Sequence, residues 1–124
     1  MGASNGEIGN DVPEVLNMAL ALEQVGGDGS LLNDILRIFM EDAPRRLVDL
    51  REALQGEDRE VFRRTAHTIK GAAATIAATR VQELAATIEQ LADDDDLAIA
   101  GEYIEDIGIE IEILVWAIMR AVDS

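Results

Sequence analysis

Residues 59–77 read Arg59-Glu60-Val61-Phe62-Arg63-Arg64-Thr65-Ala66-His67-Thr68-Ile69-Lys70-Gly71-Ala72-Ala73-Ala74-Thr75-Ile76-Ala77. Phe62, Ala66, Ile69, Ala73 and Ile76 follow one another at intervals of 4, 3, 4 and 3. That repeat keeps apolar side chains on one side of a helix, whereas a half-buried strand would alternate at every second residue. The seam is narrow and heptad-like, so it predicts a helix facing the core of a bundle. His67 lies one residue past Ala66 and is therefore rotated by about 100° from the seam.

On a helix the neighbours of His67 are Arg63, Arg64, Lys70, Gly71 and Ala74. They form a second stripe that holds an imidazole, three cations and two very small residues. Neutral imidazole is a nucleophile near pH 7 and can attack an acyl phosphate. Cations beside it would stabilise a phosphoryl group once attached. A glycine in a helix interior costs about 1 kcal/mol relative to alanine, so Gly71 needs an offsetting reason. Clearance for a partner closing over the ring is one such reason. The plainer account is a surface histidine beside a packing glycine, and the residues by themselves leave both open.

Outward from this helix the pattern stays helical. Val15, Met18, Ala19 and Leu22 fall at helical spacing after Pro13, and Gly26-Gly27 stops that short helix. Asp28 or Ser30 can cap the next helix. Its apolar face is expected at Leu31, Leu32, Ile35, Ile38 and Phe39, with a kink or short break near Ala43-Pro44. The pattern resumes at Leu47, Leu50 and Leu54, and Gly56 ends it. Asp58 can cap the His67 helix. Thr79 is the expected cap of the next, whose stripe is Val81, Leu84, Ile88 and Leu91. Asp93–Asp96 reads as a solvated loop before a helix N-terminus.

The last segment reads two ways. Ile107, Ile109, Ile111 and Ile113 alternate like a strand. Ala100, Ile104, Ile107, Ile111, Leu114, Ile118 and Ala121 also fit one helical stripe over about six turns. Gly101 and Gly108 then share a face and suit close helix approach. Ile109, Ile113 and Trp116 make a second apolar face, which can pack on the first helix or serve as a dimer or partner surface. Length and context favour helix. The expected fold is all-α: an antiparallel up-down-up-down four-helix bundle with an additional short N-terminal helix. Residues 1–11 read as a flexible tail and 12–122 as the bundle domain.

Composition bounds the partners. The chain has 124 residues, 48% of them apolar, and a net charge of −15. That is one domain with one core, and its surface repels nucleic acid and anionic membrane. With no cysteine, disulfides and thiolate metal sites are excluded. With a single histidine, a carboxylate–histidine di-metal bundle is disfavoured. No signal peptide is legible, and a cytoplasmic location is expected.

The run His67-Thr68-Ile69-Lys70-Gly71-Ala72-Ala73-Ala74-Thr75-Ile76-Ala77 resembles the motif of histidine phosphotransfer (HPt) domains. Ala21–Asp28, Phe39–Pro44 and Leu50–Leu54 resemble the upstream helices of HPt domains at the ends of bacterial hybrid sensor kinases. The resemblance covers about residues 12–122. It implies phosphorelay signalling, with His67 accepting a phosphoryl group from a receiver-domain aspartate and passing it on. It implies that Lys70 holds phosphoryl oxygens, that Gly71 gives clearance, and that Arg63, Arg64 and Ala74 meet the partner. Receiver domains of response regulators and a sensor or hybrid histidine kinase are the implied partners. Mg²⁺ is expected on the receiver, with no cofactor or metal of the chain's own. Without a Gly-rich nucleotide motif the chain is a carrier, not a kinase by itself. Ala77 stands where the family usually has a second glycine. The phosphoacceptor domain of chemotaxis kinases has a similar His-x-Ile-Lys-Gly run. A non-catalytic helical interaction module, binding through the Trp116 face, is the reading from another class.

Overall fold

The computed structural model describes residues 14–122. The expected tail at 1–11 and the helix start at Pro13 lie outside the described residues. The elements are α1 (Met18–Gln24), α2 (Gly29–Gln55), α3 (Arg59–Thr75), α4 (Thr79–Asp93), α5 (Leu97–Gly101) and α6 (Ile104–Val122). No strand occurs among the described residues. The four long helices form a ring in which α3 packs on α2 and α4, and α6 packs on the same two. α3 and α6 are therefore diagonal to each other. α1 packs on α2, and α5 on α4.

The seam that decided the fold is buried throughout, from Phe62 to Ile76. Burying a side chain such as Phe62 contributes roughly 1.5–3 kcal/mol. Around it lie Leu36 and Leu50 from α2, Val81 and Ile88 from α4, and Ile107, Leu114 and Ile118 from α6. The alternating isoleucines of the last segment resolve into two faces of one helix. Ile107 and Ile111 point into the core, while Ile109 and Ile113 face solvent.

Several expectations need correction. α1 begins at Met18, because the Asn17 side chain accepts the Leu20 N–H and so starts the helix there. α2 has no break at Pro44. One continuous helix carries the proline, with Phe39, Ala43 and Leu50 buried on either side to hold it together. The α2 face is also turned from the expected one. Leu32, Leu36, Phe39 and Ala43 are buried, whereas Leu31 and Ile38 are exposed. Thr79 is the first residue of α4 and not its cap. Ala78 takes the cap position without a side-chain bond. The last stripe is divided, because α5 ends at Gly101 and α6 starts at Ile104. A Cβ on Gly101 would stand 3.0 Å from both Leu54 methyl carbons, and one on Gly108 would stand 3.2 Å from the Arg51 guanidinium. Both glycines thus let this end of the chain close on α2.

Three helices end in the same way. After α2, α3 and α4 a residue with φ near +60° turns the chain: Glu57 at 53°, Ala77 at 56° and Asp95 at 62°. In each case the next N–H reaches back five residues, as Asp58 to the Ala53 carbonyl and Ala78 to the Ala73 carbonyl. Ala77 therefore occupies a left-handed backbone position. That conformation costs a glycine less than it costs an alanine.

Candidate functional site

α3 and α4 form a hairpin whose turn sets the register of facing side chains. His67 and Glu89 each lie eleven residues from Ala78, and Arg63 and Asp93 each lie fifteen from it. Both pairs meet. His67 Nδ1 is 2.8 Å from Glu89 Oε2, and Arg63 Nε is 3.6 Å from Asp93 Oδ1. Lys70, one turn beyond His67 on α3, places its Nζ 2.6 Å from Glu89 Oε1. One carboxylate thus holds both the histidine and the lysine. The His67 side chain is 60% exposed, while that of Glu89 is only 12% exposed.

Burial alone would raise the Glu89 pKa. Hydrogen bonds from Lys70 and His67, with the charge on both, outweigh it and hold the carboxyl below the usual carboxylate value. Glu89 is the site residue that sequence reasoning missed. Its signal was the hairpin symmetry about Ala78, together with its place next to the core residue Ile88.

The other expected residues are placed as follows. Gly71 is exposed, and a Cβ built on it meets nothing within 4 Å. No internal contact of the described residues explains this glycine. Arg63 turns toward the far end of the hairpin, bonding Glu60 at 2.7 Å as well as Asp93. Arg59 donates to the Ala92 carbonyl and pairs with Asp95. The acidic run at 93–96 is therefore partly neutralised by two arginines of α3 and is more than a solvated loop. Arg64 is exposed and forms no ion pair among the described residues. Ala74 is half-buried, and Gln24 of α1 donates to its carbonyl and to that of Thr75.

Beside His67 an apolar groove of about 240 Å³ runs between α2 and α3. Ile35, Ile38 and Phe39 line one wall, and Thr68, Ala72 and Ile76 the other. Ile38, expected in the core, is 59% exposed at this groove. No group of three or more His, Cys, Asp or Glu side chains is gathered for a metal among the described residues. No described helix is long and apolar enough to cross a membrane.

Chemically, the arrangement offers a solvent-facing imidazole, a cation beside it and open space over the neighbouring turn.

No curated protein matches the sequence at a significant level. Solved structures share the fold. The HPT domain of a sensor hybrid histidine kinase from Shewanella superposes with a TM-score of 0.80 at 20% identity, covering 88% of this chain and 94% of that one. The histidine-containing phosphotransfer protein HptB of Pseudomonas aeruginosa PAO1 gives a TM-score of 0.81 at 24% identity, covering 88% and 95%. The family model described as "Hpt domain" matches residues 34–119, which span α2 to α6 and include every residue of the His67 cluster. The chain belongs to the Hpt domain family, the phosphotransfer modules of phosphorelay signalling.

Proposed function

We propose that His67 is the phosphoacceptor of this domain and that the chain is a phosphocarrier between receiver domains in a two-component relay. The observation that carries this reading is an exposed histidine held by Glu89 at 2.8 Å and followed by an unobstructed glycine. A receiver brings the phosphoryl group as an aspartyl phosphate and supplies the Mg²⁺ of the reaction. This chain contributes the nucleophile, the Lys70 cation for the phosphoryl oxygens, and clearance at Gly71. It acts as a carrier rather than an enzyme, in the cytoplasm, where sensor or hybrid kinases and response regulators present their receivers. The groove of Ile38, Phe39 and Ala72 beside His67 suits an apolar helix of the docking receiver, with Arg64 at hand for its acidic rim.

The test is transfer of labelled phosphoryl from phosphorylated receivers. Wild type is expected to take up an acid-labile, base-stable label, and His67→Gln none. Equal labelling of the variant would refute the assignment.

A second reading has the exposure of Trp116, at 63%, in its favour. It is a helical module that binds a partner or a second copy through the α6 stripe, with His67 incidental. It predicts that Trp116→Ser abolishes receiver binding while His67→Gln leaves signalling intact.

A further inference from the structure

α6 carries two seams. Ile104, Ile107, Ile111, Leu114 and Ile118 follow one another at intervals of 3, 4, 3 and 4, and all five are buried. On the opposite side Asp106, Ile109, Ile113, Trp116 and Arg120 repeat the same intervals, and all five are exposed. A helix on the surface of a bundle needs only the inner seam. A second apolar stripe of this period is what one helix presents to another in a coiled-coil-like pair.

The charges on the outer seam are placed symmetrically. Asp106 lies seven residues before Ile113 and Arg120 seven after it, so each is about 10.5 Å from Ile113 along the axis. Ile109 and Trp116 lie between, one on either side of Ile113. The helix dipole accounts for an acid in the first turn and a base in the last. It does not choose a face, and both charges stand on the open one. Read forward the seam is acid, apolar, base; read backward it is base, apolar, acid. Two such seams match when they run antiparallel.

We propose that the outer face of α6 pairs two copies of this chain, antiparallel, about a two-fold axis beside Ile113. Ile113 then meets its own copy, Ile109 meets the partner's Trp116, and Asp106 meets the partner's Arg120. The symmetry makes each unlike contact twice. A parallel pair would instead set Asp106 against Asp106 and Arg120 against Arg120, so the charges select the direction. The pairing goes beyond the relay role and does not compete with it. α3 lies diagonal to α6, so both His67 side chains stay open to a receiver.

The association is weak by construction. One helix face offers less than the ~800 Å² per partner of a standard interface. Glu105 and Glu112 flank the seam, and each copy carries a charge of −15. The apolar centre therefore has to overcome a general repulsion that salt screens. The expected dissociation constant is on the order of 100 µM, and it should fall several-fold as salt is raised.

The experiment is sedimentation equilibrium from about 10 µM to about 1 mM chain, at low and high salt. Wild type should pass from the mass of one chain to that of two, more tightly at high salt. Ile113→Glu, with helix content and melting temperature checked against wild type, should stay monomeric, since it sets two carboxylates together on the axis. Asp106→Arg and Arg120→Asp should each weaken self-association about tenfold. An equimolar mixture of those two variants should associate within about twofold of wild type, because every mixed contact again sets an acid against a base. Loss of a helix-dipole charge would not be rescued by mixing. A wild-type chain that stays monomeric throughout would overturn the proposal and leave the seam to an unlike partner. A dimer that survives Ile113→Glu, or a mixture no tighter than its two components, would overturn it as well. None of these readouts involves His67, so failure here and failure of the phosphocarrier role are separate results.

Discussion

His67 on α3 and Trp116 on α6 are comparably exposed, the ring of His67 at 60% and Trp116 at 63%. Their surroundings differ in kind. Around His67 the surface is built from charge: Glu89 is bonded both to Lys70 and to the ring, and Gly71 opens onto solvent. Around Trp116 the exposed neighbours Ile109, Ile113 and Met119 are apolar. The glycines near that end, Gly101 and Gly108, face inward against Leu54 and Arg51. The helices that carry the two faces are diagonal in the bundle, so a molecule docked on one leaves the other accessible. Exposure by itself therefore identifies nothing. What separates a chemical site from a contact surface is whether polar groups are fixed around the exposed residue.

The contrast breaks most sharply at Gly71. Gly71→Leu should raise thermal stability, since the helix gains propensity and a Cβ at this position meets no neighbour. It should also slow phosphotransfer by about a hundredfold by obstructing the partner, whereas Trp116→Ser should leave the transfer rate within about twofold. Paired melting and transfer assays check both. A Gly71→Leu chain with unimpaired transfer would remove the clearance role. Next in size is Lys70→Ala, which should slow transfer about tenfold and shorten the lifetime of the phosphorylated form, read by loss of label over time.

The glycines sharpen the comparison energetically. Gly71→Ala should stabilise the fold by about 1 kcal/mol, while Gly101→Ala should destabilise it by about 1–3 kcal/mol through contact with Leu54. Urea unfolding of the two variants measures the difference in sign.

Acidity gives the smallest effect. The folded-state pKa of Glu89 is lowered, so its pairing contributes stability that is complete above the unfolded value near 4.5 and is lost as pH falls through the lower folded value. The gap in urea midpoint between wild type and Glu89→Gln should therefore be widest near neutral pH and close in acid below 4.5.

Much of the fold was legible because burial writes a periodic signal. The seam from Phe62 to Ile76 gave α3, and the stripe from Ile104 to Ile118 gave α6 despite its strand-like alternation. Asp28 and Asp58 were legible as caps because a side-chain oxygen bonding an N–H three residues on is a local event. Misread positions depended on tertiary context. Ile38 has the spacing of a core residue, but α2 is rotated to bury Leu36, and Ile38 was left at the groove. Pro44 is a local helix breaker that the packing of its neighbours overrides. At the site, His67, Lys70 and Gly71 share one helix and could be read together. Glu89 reaches them from α4, and its role depends on the register of the hairpin. Arg63 was read beside His67 as a partner-facing cation, and the same register pairs it, like Arg59, with the acidic end of α4.

The most direct measurement is to locate the phosphoryl group. The chain is mixed with an aspartyl-phosphorylated receiver, quenched in alkali and fragmented for mass spectrometry. The expected result is a phosphoryl group on the fragment containing His67, lost on acid treatment and absent from His67→Gln. Phosphoryl on any other residue, or none on wild type while the receiver is seen to bind the Trp116 face, would contradict it.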